Sequence, residues 1–111
     1  MLQNGMDVEL KKQLARFGRS DKEAAAVRLR AARKVAKLSQ DQLGELGGVK
    51  KSSISNMEHA RAFPNRAILI HLFDECRIDA NFMLLGHFAQ LPGDVQEALF
   101  LALESESNLK S

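Results

Sequence analysis

The run Lys50-Lys51-Ser52-Ser53-Ile54-Ser55-Asn56 gathers side chains that donate and accept hydrogen bonds without offering an activated nucleophile. A lysine ammonium pairs with phosphate oxygens or with guanine O6 and N7, and serine hydroxyls and an asparagine amide can address phosphates or base edges. Two adjacent lysines alone are more often a solvated surface, so this chemistry depends on what holds the row. The other chemistry-bearing residues form poorer groups. His59, His71 and His87 lie twelve and sixteen residues apart, without a nearby cysteine or paired carboxylate, which is not metal-ligand spacing. Asp74 and Glu75 are neighbours on one helix and point to different sides, so they cannot work as a paired acid and base. Cys76, the single cysteine, can form no internal disulfide and reads as a small apolar group in a reducing compartment. No nucleophile-base-oxyanion constellation and no phosphate-cradling glycine loop is visible, so no enzyme, metal or cofactor is expected.

The elements that must position the row are helices, because alternating Val/Ile/Thr runs are absent and the apolar residues recur at three and four. A helix from Asp7 to Phe17 carries Leu10, Leu14 and Phe17 on one face and stops at Gly18. Ser20 and Glu23 have the spacing of a capping box, which starts a second helix over 21–36 with Val27, Leu29, Ala31 and Ala32 inward. Ser39 and Gln42 repeat the device before Leu43 and Leu46, and Gly47-Gly48 closes that short helix at a tight corner. Ile54 and Met57 mark a fourth helix, ended by the segment RAFP. Pro64 and Asn65 open a fifth, with Ile68, Leu69, Leu72 and Phe73 as its stripe, running to Arg77. Asp79 caps a short sixth helix that directs Phe82, Met83 and Leu85 to the core and stops at Gly86. Asp94 and Glu97, after the Pro92-Gly93 turn, start a last helix from Val95 to Glu104, leaving SESNLKS as a frayed tail.

Residues 39–59 therefore form two short helices joined by a glycine corner, the requirement of a helix-turn-helix whose second helix is offered to a groove. Gly44 is small where the two helices must approach, Gly48 takes the left-handed conformation of the corner, and Val49, Ile54 and Met57 pack back on Leu43. Lys50, Lys51, Ser52, Ser53 and Asn56 are left on the outside.

The stretch RLRAARKVAKLSQDQLGELGGVKKSSISNMEHA, continued through Phe63-Pro64 to Leu85-Gly86, resembles the phage-repressor and Cro type of helix-turn-helix domain, the XRE family, over residues 24–86. The resemblance implies an all-α, lambda-repressor-like five-helix DNA-binding domain, here with an additional C-terminal helix and an N-terminal helix. It implies that Gln40 hydrogen-bonds a phosphate, that Lys51, Ser52, Ser53 and Asn56 form the base-reading face, and that Arg33 and Glu58 form an ion pair tying the first helix to the recognition helix. With Lys50 and Arg61 the expected DNA-binding set is Gln40, Lys50, Lys51, Ser52, Ser53, Asn56 and Arg61. Within it, Asn56 is matched to an adenine edge and Lys51 to a guanine. Three departures stand out: Gly44 where alanine is usual, Lys50 where a capping serine or threonine is common, and Ala60 where glycine usually follows the recognition helix. The first two cost ~1 kcal/mol each in stability.

The 111 residues suffice for one small domain. The expected division is 1–19 as an N-terminal extension, 20–86 as the helix-turn-helix domain, and 87–111 as a C-terminal helix and tail. The formal net charge is only +2, but residues 1–86 carry fifteen of the sixteen Lys/Arg and residues 87–111 carry four acids against one lysine. A modest basic excess of that kind is compatible with a polyanion partner. The longest apolar run, Ala98 to Leu103, falls far short of the roughly 20 residues needed to cross a bilayer, and the N-terminus lacks secretory-signal features, so a cytoplasmic location away from membranes is expected. One such domain touches few base pairs, and a sequence-specific regulator, most simply a repressor, needs a homodimer on a palindromic operator. The terminal helix is more apolar than one buried face requires, so either Val95, Leu99, Phe100 and Leu103 are the dimer interface or the helix caps its own core; Leu10, Leu14 and Phe17 are a second dimer candidate. The alternative is a protein-interaction module of the same fold, such as the antitoxin of a toxin pair, docking a protein partner through that helix.

Overall fold

A computed structural model describes residues 6–110, leaving aside the side chains of 108–110; residues 1–5 of the expected N-terminal extension and residue 111 of the expected tail lie outside it. The described chain is helical throughout: α1 (Val8–Ala15), α2 (Lys22–Ala36), α3 (Gln40–Gly47), α4 (Lys51–Glu58), α5 (Arg66–Cys76), α6 (Ala80–Leu85) and α7 (Gly93–Lys110). Four of the starts have a side chain that satisfies an orphan N–H. Asp7 accepts from Leu10, Asn65 from Ile68 and Asp79 from Phe82, while Ser39 and Gln42 cap each other in a full capping box.

Three expected boundaries are corrected, each because a charged partner or a neighbouring helix competes with local signals. The Ser20–Glu23 box does not form; Asp21 stands at the N-cap of α2 without a side-chain cap bond. Arg19 takes both carboxylates instead, donating to Asp21 at 3.0 and 2.8 Å and to Glu23 at 2.9 Å. Asp94 likewise turns to Arg77 at 2.6 Å, and α7 begins two residues earlier than expected, at Gly93. The tail expected to fray continues α7 to Lys110, because Glu106 is drawn under α2 by Arg30 and Lys34.

Helix α2 is the axis of the fold, with α7, α4, α5 and α6 packed around it and α1 laid against α7. Leu29, Ala31, Ala32, Leu43, Ile54, Ile68, Leu72, Phe82 and Leu99 are wholly removed from solvent where these helices meet. At about 25 cal/mol per Å² of apolar surface, this burial is the main force holding α4 to α2.

Val95, Leu99, Phe100 and Leu103 also belong to this core, none more than 5 % exposed, so they are not a dimer surface. The second apolar side of α7 is used inside the chain, since α2 covers one side and α1 another. Phe100 meets Phe88 edge to face, with ring centroids 5.2 Å apart, and Lys11 of α1 lies over its ring. Of the N-terminal set, Leu14 is buried while Leu10 and Phe17 are partly open.

Arg28 pins this arrangement. It is fully buried and meets no carboxylate; its guanidinium donates to Ala15 O at 2.9 Å, Arg16 O at 2.6 Å, Arg19 O at 2.7 Å and Met83 O at 3.4 Å. Carbonyls at the ends of α1 and α6 and in the connection from α1 to α2 are thereby bonded by one side chain. Burial pulls the Arg28 pKa down to about 10, so it remains charged at neutral pH. Gly86 makes the approach feasible: at φ 76°, a Cβ there would stand 2.7 Å from Ala15 O and 2.8 Å from Arg28 Nη2.

Candidate nucleic-acid interface

The corner between α3 and α4 is built on two glycines with different duties. Gly48 ends α3 in the left-handed region at φ 69°, which an L side chain adopts only with strain. Gly44 lies in the helix, and a Cβ there would come within 2.8 Å of Val49 O on the backbone of the corner. Its absence of side chain, read above as a weak point by its departure from alanine, is a packing requirement. Val49 N–H donates to Gly44 O at 2.9 Å, and Leu43, Ile54 and Met57 are buried beneath.

With that side of α4 committed to the core, Lys50, Lys51, Ser52 and Asn56 are exposed, Ser53 is partly buried, and Arg61 is exposed just beyond the helix. Lys50 occupies the N-cap with extended backbone and no side-chain cap bond, so the positive end of the α4 dipole is left without an internal partner beside two lysines. His59 is fixed on the same helix by its Nδ1, 2.7 Å from Ser55 O.

The structure brings Arg33 and Glu58 together. Arg33 Nε and Nη2 address both carboxylate oxygens, the latter at 3.0 Å, and Glu58 is almost wholly buried. The hydrogen bond to Glu58 raises the Arg33 pKa against the opposing effect of burial. Gln40 joins this pair: its Nε2 donates to Glu58 Oε1 at 3.0 Å, leaving one amide hydrogen for an outside acceptor. One carboxylate thus locks α2, α3 and α4 to each other.

Sequence reasoning missed the extension of this lock into α7. Arg30 donates to the backbone oxygen of Glu58 through Nη1, at 2.5 Å, and to Glu106 through Nε at 2.7 Å. Lys34 pairs with the other Glu106 oxygen. Burial would raise the Glu106 pKa, but hydrogen bonds from Lys34 and Arg30 outweigh it and hold the group below the usual glutamate value. The available signal was the spacing of Arg30 and Lys34, one turn apart on α2 and in need of a partner.

Also missed was the backbone at the end of α4. Ala60 is left-handed at φ 63°, and the chain doubles back so that Arg61 N–H donates to Asn56 O at 2.9 Å and Ala60 N–H to Met57 O at 3.4 Å. The departure from glycine at position 60 was legible; that alanine would nonetheless adopt the glycine conformation was not. Among the described residues, no group of three His, Cys, Asp or Glu could hold a metal, and no helix is long and apolar enough to cross a membrane.

A family model described as a helix-turn-helix domain matches residues 24–81, a span that begins in α2 and ends in α6 and so includes every residue of the corner. No curated protein and no solved structure matches the chain.

Proposed function

Because the chain belongs to the helix-turn-helix domain family, we propose that it is a sequence-specific DNA-binding regulator of the phage-repressor/Cro type, acting as a homodimeric repressor on a palindromic operator. The observation that carries this reading is the exposed row Lys50, Lys51, Ser52, Asn56 and Arg61, held outward on a helix whose other side is buried. Cations and the open dipole end of α4 attract phosphates and set orientation, while the short polar side chains along the helix reach base edges. Repression follows most simply from occupying a site that polymerase needs.

Affinity supplied by phosphates falls with salt, because each neutralised phosphate releases counterions. Titrating labelled duplex at several salt concentrations is expected to give a steep log-log slope. Lys51→Ala should weaken duplex binding and make it less salt-dependent, with helix content unchanged. Salt-insensitive binding, or a Lys51→Ala variant indistinguishable from the parent, would contradict the reading.

Two recognition helices about 34 Å apart match successive major grooves on one duplex face, and a second copy of the chain would provide the other. With the apolar residues of α7 internal, the exposed apolar side chains open to such a contact include Ile70 and Phe73 on α5 and Leu101 on α7. The same burial removes the α7 face expected for a homodimer and for a protein-interaction module alike, so the DNA reading rests on the exposed row around α4.

A further inference from the structure

Helices closed by a left-handed residue usually bring together two side chains: that of the residue following the left-handed one, and that of the residue five positions earlier, whose carbonyl it bonds. In most proteins the pair is apolar and seals the helix end. Here those positions are Arg61 and Asn56. Both are exposed, and Arg61 Nη1 donates to Asn56 Oδ1 at 3.3 Å. The backbone bond from Arg61 N–H to Asn56 O fixes the base of the pair, and the side-chain bond fixes its tip. Two polar side chains on the outer face of α4 are therefore presented as one object.

The composition of that object decides what it can read. An unpartnered asparagine offers one acceptor and one donor side by side, which matches adenine N6–H and N7. Asn56 has one lone pair engaged by a guanidinium, and the positive charge beside its carbonyl confronts the N6–H donors of adenine with a cation. Beside the one free lone pair of Asn56 Oδ1, the outward groups of the pair are then mostly donors: the Asn56 amide N–H groups and the remaining guanidinium N–H groups of Arg61. Guanine is the base whose major-groove edge presents two acceptors, O6 and N7, and cytosine presents a donor there.

Resting on the DNA-binding reading above, we propose that Asn56 and Arg61 act as a composite reader of a single guanine in each half-site, with Arg61 converting an adenine-reading side chain into part of a guanine-reading one. This replaces the assignment of Asn56 to adenine made from the sequence. It also gives Arg61 a role in specificity, where a lone cation after a recognition helix would serve affinity only.

The test is selection of bound duplexes from a randomised pool by the full chain, by Arg61→Ala and by Asn56→Ala, with thermal melts showing that each variant is folded. The parent is expected to enrich a guanine at one position of each half-site. Arg61→Ala is expected to switch that position to adenine, because the freed amide regains its acceptor. Asn56→Ala should keep guanine there with discrimination weakened about tenfold, as expected for loss of one partner of a contact worth 1–3 kcal/mol. If Arg61→Ala instead weakens all sequences equally and leaves the selected motif unchanged, Arg61 is a phosphate contact and the proposal is overturned while the DNA-binding reading stands. Enrichment of adenine by the parent would overturn it in the same way. Failure of the parent to retain any duplex in low salt would remove the underlying reading, and the proposal with it.

Discussion

Arg28, Arg30 and Arg33 on α2 and Lys50, Lys51 and Arg61 around α4 carry the same formal charge in opposite circumstances. The α2 arginines are spent inside the protein: Arg28 on four backbone carbonyls, Arg30 on Glu106 and the Glu58 carbonyl, Arg33 on the Glu58 carboxylate. The α4 lysines have no such partner among the described residues and face solvent. A net charge of +2 therefore says little about affinity for a polyanion, because cations already satisfied by the fold do not attract phosphate. The α2 charges specify the orientation of α4, and the α4 charges use it.

The contrast is broken or sharpened first by Arg28. Arg28→Ala removes the donor from four carbonyls and opens a void, for an expected loss of about 3–5 kcal/mol from unsatisfied buried acceptors and the cavity together. Urea unfolding measures it, and Lys51→Ala in the same assay should stay within about 0.5 kcal/mol of the parent. Comparable losses from the two variants would erase the division between internal and external cations.

Glu106 gives the next effect. Its pKa is lowered in the folded state, so its contribution is present above the unfolded value and is lost as pH falls through the folded one. Stability should decline on acidification below about pH 4.5, the ordinary glutamate value. Glu106→Gln should lower the neutral-pH plateau and flatten that acid limb in unfolding curves taken as a function of pH. An unchanged acid limb would place the α7 lock elsewhere.

The smallest effect concerns Ala60. Relieving the left-handed strain with Ala60→Gly should stabilise the protein by about 1 kcal/mol, offset in part by the greater backbone freedom of glycine when unfolded. A melting temperature that falls would show that the turn is not strained by its side chain.

How much of this was legible in the sequence depended on how local each cause is. The order of seven helices, the Ser39–Gln42 capping box, and the Gly44 and Gly48 corner follow from signals within a few residues of one another, and each is present. The Ser20–Glu23 box failed because Arg19, just outside the pattern, outcompeted the backbone for both carboxylates. The surplus of apolar residues on α7 left a partner surface and a cap on the core equally open, because the packing of α1 against it is a tertiary fact. Arg28 and Glu106 were missed for the same reason: partners of each are brought near only by tertiary packing, 55 residues away for Met83 and 76 for Arg30, and the spacing of Arg30 and Lys34 does not name Glu106. At the interface, residue types placed the row on α4, but the pairing of Asn56 with Arg61 needed the left-handed turn at Ala60, which intrinsic preference argues against.

The central claim is that α4 and its flanks face the duplex while α2 and α7 stay internal. Mapping backbone amide shifts while duplex DNA is titrated into the isotopically labelled chain tests it most directly. The account predicts the largest perturbations at residues 50–56 and at 61, with α7 nearly silent. Perturbations concentrated on α5 or α7, with residues 50–56 unmoved, would contradict it.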